Sequence, residues 1–154
     1  CLLGVLVGLQ VVVNDPIADL DHFPNASHII TDDILYEQLL PAEDDFVVIA
    51  TQHKGDHESM KQALSSKASY IGLVASRKRS RLVLEYIQQE GFTASNIERI
   101  MTPSGLDLGA RTPEEIALCV IAEIVMVRRH GSGMHMRDKL NMETKNHGQL
   151  TNKK

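Results

Sequence analysis

The stretch "FVVIATQHKGDHESMKQALSSKASYIGLVASRKRSRLVLEYIQQEG", Phe46 to Gly91, decides the fold. It opens with the β-branched run Phe46–Thr51, which reads as a strand. After a polar loop, Asp56 is placed to cap a helix whose Met60, Ala63 and Leu64 share one face. A second apolar run, Tyr70–Ser76, follows, and Ser76 caps another helix that stops at Gly91. Strands that alternate with helices, each strand a near-continuous Val/Ile run, indicate a parallel sheet covered on both faces.

The same alternation extends outward from this stretch. On the amino-terminal side, Leu2–Val7 reads as the last turns of a helix ending at Gly8, and Leu9–Asp15 as a buried strand. His28–Ile30 is a short strand, and "DDILYEQLL" is expected to form a short helix capped by Thr31 or Asp32. The Phe46–Thr51 run is expected to be the central strand. On the carboxyl side, "TASNIERI" predicts a short helix with a capping box from Ser95 to Glu98, and Arg99–Met101 a last strand.

The segment "SGLDLGARTPEEIA", Ser104–Ala117, joins a glycine-bearing loop to a well-marked helix start. Thr112 is placed to cap, Pro113 sits at the first helical position, and Glu115 follows three residues after the cap. That helix runs to about Arg129, is apolar on most sides, and is expected to pack deep against the sheet. Cys119 falls toward its polar flank. Beyond His130 periodicity is lost, so residues 130–154 are expected to form a disordered tail on a domain spanning 1–129. The expected fold class is α/β, a Rossmann-like parallel sheet with helices on both faces. The chain is read as beginning mid-element, with the first strand of that fold outside it.

Composition excludes several function classes. Aromatic residues make up 4% of the chain and the net charge is −4, so neither stacking platforms nor a basic footprint for nucleic acid is present. The opening apolar run, "CLLGVLVGLQVVV", falls short of the roughly 20 residues a membrane-spanning helix needs. Two cysteines, Cys1 and Cys119, offer no disulfide framework and no paired metal motif, which suits a cytoplasmic protein. An unpaired sheet edge leads to the expectation of a homodimer.

In parallel sheets of this kind ligands sit beyond the carboxyl ends of the strands. That rule gathers Asn14–Asp15, Thr51–Asp56, Ala75–Lys78 and Pro103–Gly109 onto one rim. Asp15 either holds ribose hydroxyls, as acids at this position of dinucleotide folds do, or starts a turn before Pro16. "TQHKGDH" brings His53, Asp56 and His57 together, but Gly55 and the Asp56 cap break the helix that would align two histidines on a metal, so no metal site is expected. "ASRKRSR" is a capped helix start with four basic residues, a place that suits a phosphate. Gly105 and Gly109 allow close backbone approach or positive φ, and Asp107 either holds a ligand hydroxyl or orders its loop. Neither paired catalytic carboxylates nor a nucleophile–base arrangement is found.

The words "FVVIATQ…D…AL", "YIGLVASRKR" and above all "PSGLDLGARTPEEIALCVIAEIV" resemble the XdhC/CoxI family, the maturation proteins of xanthine dehydrogenase and aerobic carbon monoxide dehydrogenase. The resemblance runs from about Leu2 to Arg129 and covers the family's Rossmann-like domain. It implies a non-catalytic chaperone that binds the molybdopterin cofactor, supports its sulfuration with a cysteine desulfurase, and delivers it to an apo molybdenum hydroxylase. Carried over residue by residue, it implies cofactor-binding roles for Asp15, Thr51, Gln52, Asp56, Ser76, Arg77, Pro103, Gly105, Asp107 and Gly109. The chain departs from the family pattern at Gln52, where His is common, at Ala75, where Gly is common, and at Asn14, where an acid is common. The alternative function is an NAD(P)-binding oxidoreductase domain with His53 as its proton relay.

Overall fold

The computed structural model describes residues 1–51 and 55–142. In chain order the elements are α1 (Leu2–Leu6), β1 (Val12–Asn14), β2 (His28–Ile30), β3 (Phe46–Ile49), α2 (Asp56–Ser65), β4 (Tyr70–Leu73), α3 (Arg77–Gln89), α4 (Ala94–Ile97), β5 (Ile100–Met101) and α5 (Pro113–Arg128). All strand pairs are parallel. β1 and β2 form one two-stranded sheet, with Val12 opposite His28, and β3, β4 and β5 form another in that order. The α/β class, with parallel sheets flanked by helices, is as the sequence indicates.

Two cores divide along β4 because successive side chains of a strand face opposite ways. Ile71 and Leu73 join Ile49 and Ile100 against Met60, Ala63 and Leu64 of α2 and Val83 and Ile87 of α3. Tyr70 faces the other way, onto Val120 and Ile124 of α5. Arg99, just before β5, ties the end of α2 to the sheet. Its guanidinium donates to the carbonyls of Leu64, Ser66 and Ala68 at 3.1, 3.0 and 2.8 Å, which satisfies acceptors a helix end leaves open.

Several expectations are corrected. The middle strand of the larger sheet is β4, fully buried along its length, while β3 lies at that sheet's border. The segment "DDILYEQLL" forms turns and no helix. The Asp33 carboxylate takes the amide hydrogens of Glu37 and Gln38, both at 2.9 Å, so it competes with helical pairing for the same donors. Tyr36, in the middle of that segment, has a φ of 59°, which a helix does not accommodate. The cap of α2 is Gly55, with φ at 91°, while Asp56 is the first helical residue and its carboxylate is turned elsewhere. The capping box of α4 runs from Thr93 to Asn96, earlier in the chain than expected. Finally, α5 is not deeply covered. Ile116 and Leu118 are 37% and 49% exposed, whereas Cys119, expected on the polar flank, is buried.

The caps of the other long helices are as read from the sequence. Ser76 accepts the Arg79 amide hydrogen at the start of α3. Thr112 and Glu115 close a reciprocal capping box at the start of α5, with Pro113 in its first turn. Residues 136–142 are helical, and 143–154 lie outside the described residues. Among the described residues no helix is long and apolar enough to cross a membrane.

Candidate functional site

The carboxyl ends of β4 and β5 open onto a cavity of about 480 Å³, lined by Val74, Ala75, Ser76, Arg79, Pro103, Ser104 and Ile116. Its position is where an open parallel sheet offers a ligand site. One wall is the first turn of α3, where Ser76 caps and exposed Arg77 and Lys78 follow. The opposite wall is the segment leaving β5, which passes through a cis Thr102–Pro103 bond to Ser104. The Ser104 amide donates to the Leu73 carbonyl at 3.1 Å, so this wall is hydrogen-bonded to the end of β4. The lining is apolar at Val74, Ala75, Pro103 and Ile116 and polar at Ser76, Arg79 and Ser104. Such a surface suits a flat heteroaromatic ring that carries a phosphate.

Arg79 is the pivot of the rim. Its Nε and Nη2 pair with the Asp56 carboxylate, and Nη2 also donates to the Thr51 carbonyl at 2.9 Å and the Thr51 hydroxyl at 3.0 Å. The Thr51 hydroxyl donates to Asp56 in turn. Both charged side chains are nearly covered, Arg79 at 15% and Asp56 at 6% exposure. Thr51 and Asp56, singled out as cofactor contacts, therefore act in this structure as the clamp that holds Arg79 against the cavity.

The loop Ser104–Gly109 is fastened from beneath. Glu123 on α5 accepts the Gly105 amide hydrogen at 2.9 Å and the Tyr70 hydroxyl hydrogen at 2.6 Å. Tyr70 also lies 2.7 Å from the Ser104 hydroxyl. Leu106 donates its amide hydrogen to the Cys119 carbonyl at 3.2 Å. Gly105 has a φ of 109°, and a Cβ there would stand 3.0 Å from the Cys119 Cβ and 3.1 Å from the Val120 amide nitrogen. Its glycine serves close contact with α5. Asp107 is exposed and accepts the Gly109 amide hydrogen at 3.3 Å, and Gly109 helps line a smaller hollow of about 170 Å³ beside Cys119.

Asp15 is not among the residues that line this cavity. Asp15, at the end of β1, accepts the Ile17 amide hydrogen at 2.9 Å. It does lie near Tyr36: burial raises the Tyr36 phenol above its ordinary pKa, and the negative charges of Asp15, Asp56 and Asp33 add to that rise. Gln52 and His53 lie outside the described residues, and His57 stacks on Tyr86 with ring centroids 3.9 Å apart. Of the predicted set, the structure thus brings Ser76 and Pro103 together at the cavity, with Thr51 and Asp56 supporting it through Arg79. Five lining residues were not among the predicted contacts: apolar Val74, Ala75 and Ile116, and the polar pair Arg79 and Ser104. The signals for the polar pair were present: Arg79 shares the first helical turn with the Ser76 cap, and Ser104 directly follows Pro103 at the end of the last strand.

Tyr70 is fully buried, and this sets a pH dependence. Burial first, and then the bond to Glu123, push its phenol far above the ordinary 10.0. A group whose pKa is raised on folding contributes stability that is whole below its unfolded value and declines as pH rises past it. Stability is therefore expected to fall from about pH 10 upward, and less steeply in Tyr70→Phe, where the raised Tyr36 phenol and the Lys61 ammonium held up by Glu90 still contribute. Urea unfolding at a series of alkaline pH values checks this, and equal slopes for the two proteins would refute it.

A parallel α/β domain with a cavity over the carboxyl ends of its strands and a capped, basic helix start on the rim is of the Rossmann class. Within that class the chain belongs to a particular family: the sequence profile of the XdhC Rossmann domain matches residues 1–124. The chain is 34% identical over 112 residues to a probable xanthine dehydrogenase component of Bacillus subtilis, covering 70% of this chain and 31% of that protein. It is 37% identical over 90 residues to the uncharacterized protein YqeB of Escherichia coli, covering 58% of this chain and 16% of that one. The crystal structure of a xanthine dehydrogenase from Bacillus halodurans superposes with a TM-score of 0.70 at 31% identity, covering 82% of this chain and 38% of that chain. The chain thus spans well under half the length of each of these proteins.

Proposed function

We propose that this chain is the cofactor-holding domain of an accessory protein that serves a molybdenum hydroxylase of the xanthine dehydrogenase kind. The observation that carries the proposal is the cavity at the ends of β4 and β5, together with membership of the XdhC Rossmann family. The donor set fits molybdopterin. Apolar Val74, Pro103 and Ile116 suit a pterin ring, and the start of α3, with Ser76, Arg77 and Lys78, suits its phosphate. The bound group would supply the dithiolene that carries molybdenum. The chain's own residues would bind the ring, orient it and keep water from it. The protein acts in this reading as a non-catalytic chaperone in the cytoplasm, with a cysteine desulfurase and the apo-hydroxylase as partners and self-association into a dimer.

A second reading, an NAD(P)-binding oxidoreductase domain, draws support from Asp15 at the carboxyl end of β1, where dinucleotide folds place an acid on the ribose. Native mass spectrometry of the chain with molybdopterin, NAD and NADP added in turn separates the two. A selectively retained pterin mass is the expected result, and the same spectrum gives the oligomeric state. Selective retention of a nicotinamide dinucleotide would replace the chaperone reading with the oxidoreductase.

A further inference from the structure

We propose that Ser104 selects what enters the cavity by presenting a hydrogen-bond acceptor, so that the favoured ligand brings an N–H or O–H donor to that wall. This rests on the pterin reading above and narrows it to an orientation of the ring.

The hydrogens around Ser104 are assigned one at a time by what each group can donate. The Gly105 amide can only donate, and it points at Glu123 Oε2 from 2.9 Å. Tyr70 Oη is 2.6 Å from the same oxygen. A carboxylate oxygen that already receives an N–H has a lone pair to offer a second donor and no hydrogen of its own to give. The single Tyr70 hydrogen is therefore directed at Glu123. The contact between Tyr70 Oη and Ser104 Oγ, at 2.7 Å, must then be filled by the hydrogen of Ser104. A serine hydroxyl has only that one hydrogen. With it committed inward, Ser104 Oγ has lone pairs alone left to offer, and Ser104 is one of the residues that line the cavity.

The packing keeps this direction in place. Tyr70 is fully buried on β4, so no water competes for its hydrogen. Gly72, two residues along the same strand, makes the room: a Cβ there would stand 2.7 Å from both Ser104 Oγ and Tyr70 Oη. Glu123 is held on α5 directly beneath the Ser104–Gly105 peptide. Three separated parts of the chain thus fix the polarity of one hydroxyl.

A pterin carries an exocyclic amino group and a ring N–H on one edge, both donors. Lumazine keeps the ring N–H and has a carbonyl in place of that amino group, so the comparison reads the amino position: set against Ser104, the carbonyl would oppose lone pair to lone pair. One hydrogen bond of ordinary strength, exchanged for an unfilled contact, corresponds to a preference of about tenfold.

The test is the affinity of the purified full chain for pterin and for lumazine, read by isothermal calorimetry, in the wild type and in Ser104→Ala, Ser104→Thr and Tyr70→Phe. The wild type is expected to favour pterin by about tenfold. Ser104→Ala brings the ratio toward one, and Ser104→Thr, which keeps the hydroxyl, retains it. Tyr70→Phe frees the serine hydrogen to turn outward, so lumazine tightens relative to pterin. Thermal unfolding of each variant confirms folding, and the two Ser104 variants carry the test if Tyr70→Phe does not fold. Binding of both probes with a ratio that Ser104→Ala leaves unchanged overturns the role of Ser104 alone. Binding of neither probe to the wild type overturns the pterin reading and this inference with it.

Discussion

Replacing Arg79 with alanine is expected to lower the unfolding free energy by about 3–5 kcal/mol, among the largest effects any single substitution has in this chain. The expectation follows from burial. Asp56 is 6% exposed and Arg79 15%, so removing the guanidinium leaves a carboxylate that water barely reaches. The Thr51 carbonyl and hydroxyl lose donors in the same step. Lysine should not rescue the variant, because one ammonium cannot replace the two guanidinium nitrogens that grip Asp56. A double-mutant cycle makes the test specific. Asp56→Ala alone should cost nearly as much, and the double variant much less than the sum, since the second removal takes away a charge already unpaired. Additive urea-unfolding energies would mean that the pair is not a pair in solution.

The second large effect is expected at Gly105, where alanine should cost about 2–4 kcal/mol by the same measurement. Two effects combine there. A φ of 109° is unfavourable for any residue with a Cβ, and that Cβ would press on the backbone of Cys119 and Val120 in α5, which has no flexible end to yield. Gly109 provides the comparison. Its φ is 74°, yet a Cβ there meets nothing within 4 Å, so Gly109→Ala should carry only the backbone cost, of about 1 kcal/mol. If both variants fall equally, the helix contact contributes nothing. The contrast also shows which residue of this loop suits a ligand test. A substitution at Gly105 disturbs the fold, whereas Asp107, exposed and bound to the Gly109 amide, can be changed with the loop intact.

What the sequence made legible was whatever depends on near neighbours along the chain. The apolar runs at Phe46–Ile49 and Tyr70–Leu73 are strands, and Ser76 and Thr112 cap their helices, because each signal lies within a few residues of its effect. What was misread depends on distant partners. Asp56 looks like a helix cap until Arg79, 23 residues on, takes its carboxylate. The turn-rich Asp33–Gln38 segment carries helix-forming Leu35, Glu37 and Gln38, but a buried aspartate, held also by Asn14 from β1, takes the amides first. The order of the strands was equally out of view, since periodicity marks a strand without saying which neighbours it has. For the site, the rim could be named from topology alone. Which rim residues line the cavity and which brace it could not, because Thr51, Asp56 and Gly105 differ from Ser76 and Ser104 only in what stands behind them.

The uneven spread of buried side chains sets how the molecule breathes. Of the buried apolar residues among those described, only Ala18 and Ile30 come from the first 45 positions, while β3, α2, β4, α3, β5 and α5 supply the rest apart from Ala68. The β1–β2 pair therefore opens at lower free energy than the larger sheet, and its amides should exchange with solvent first. The cavity wall built on Ser76, Arg79 and Ser104 belongs to the slow part, and Asp15 to the fast one. A ligand that touched both would tie the two together, and its binding would register as slowed exchange at Val12–Asn14.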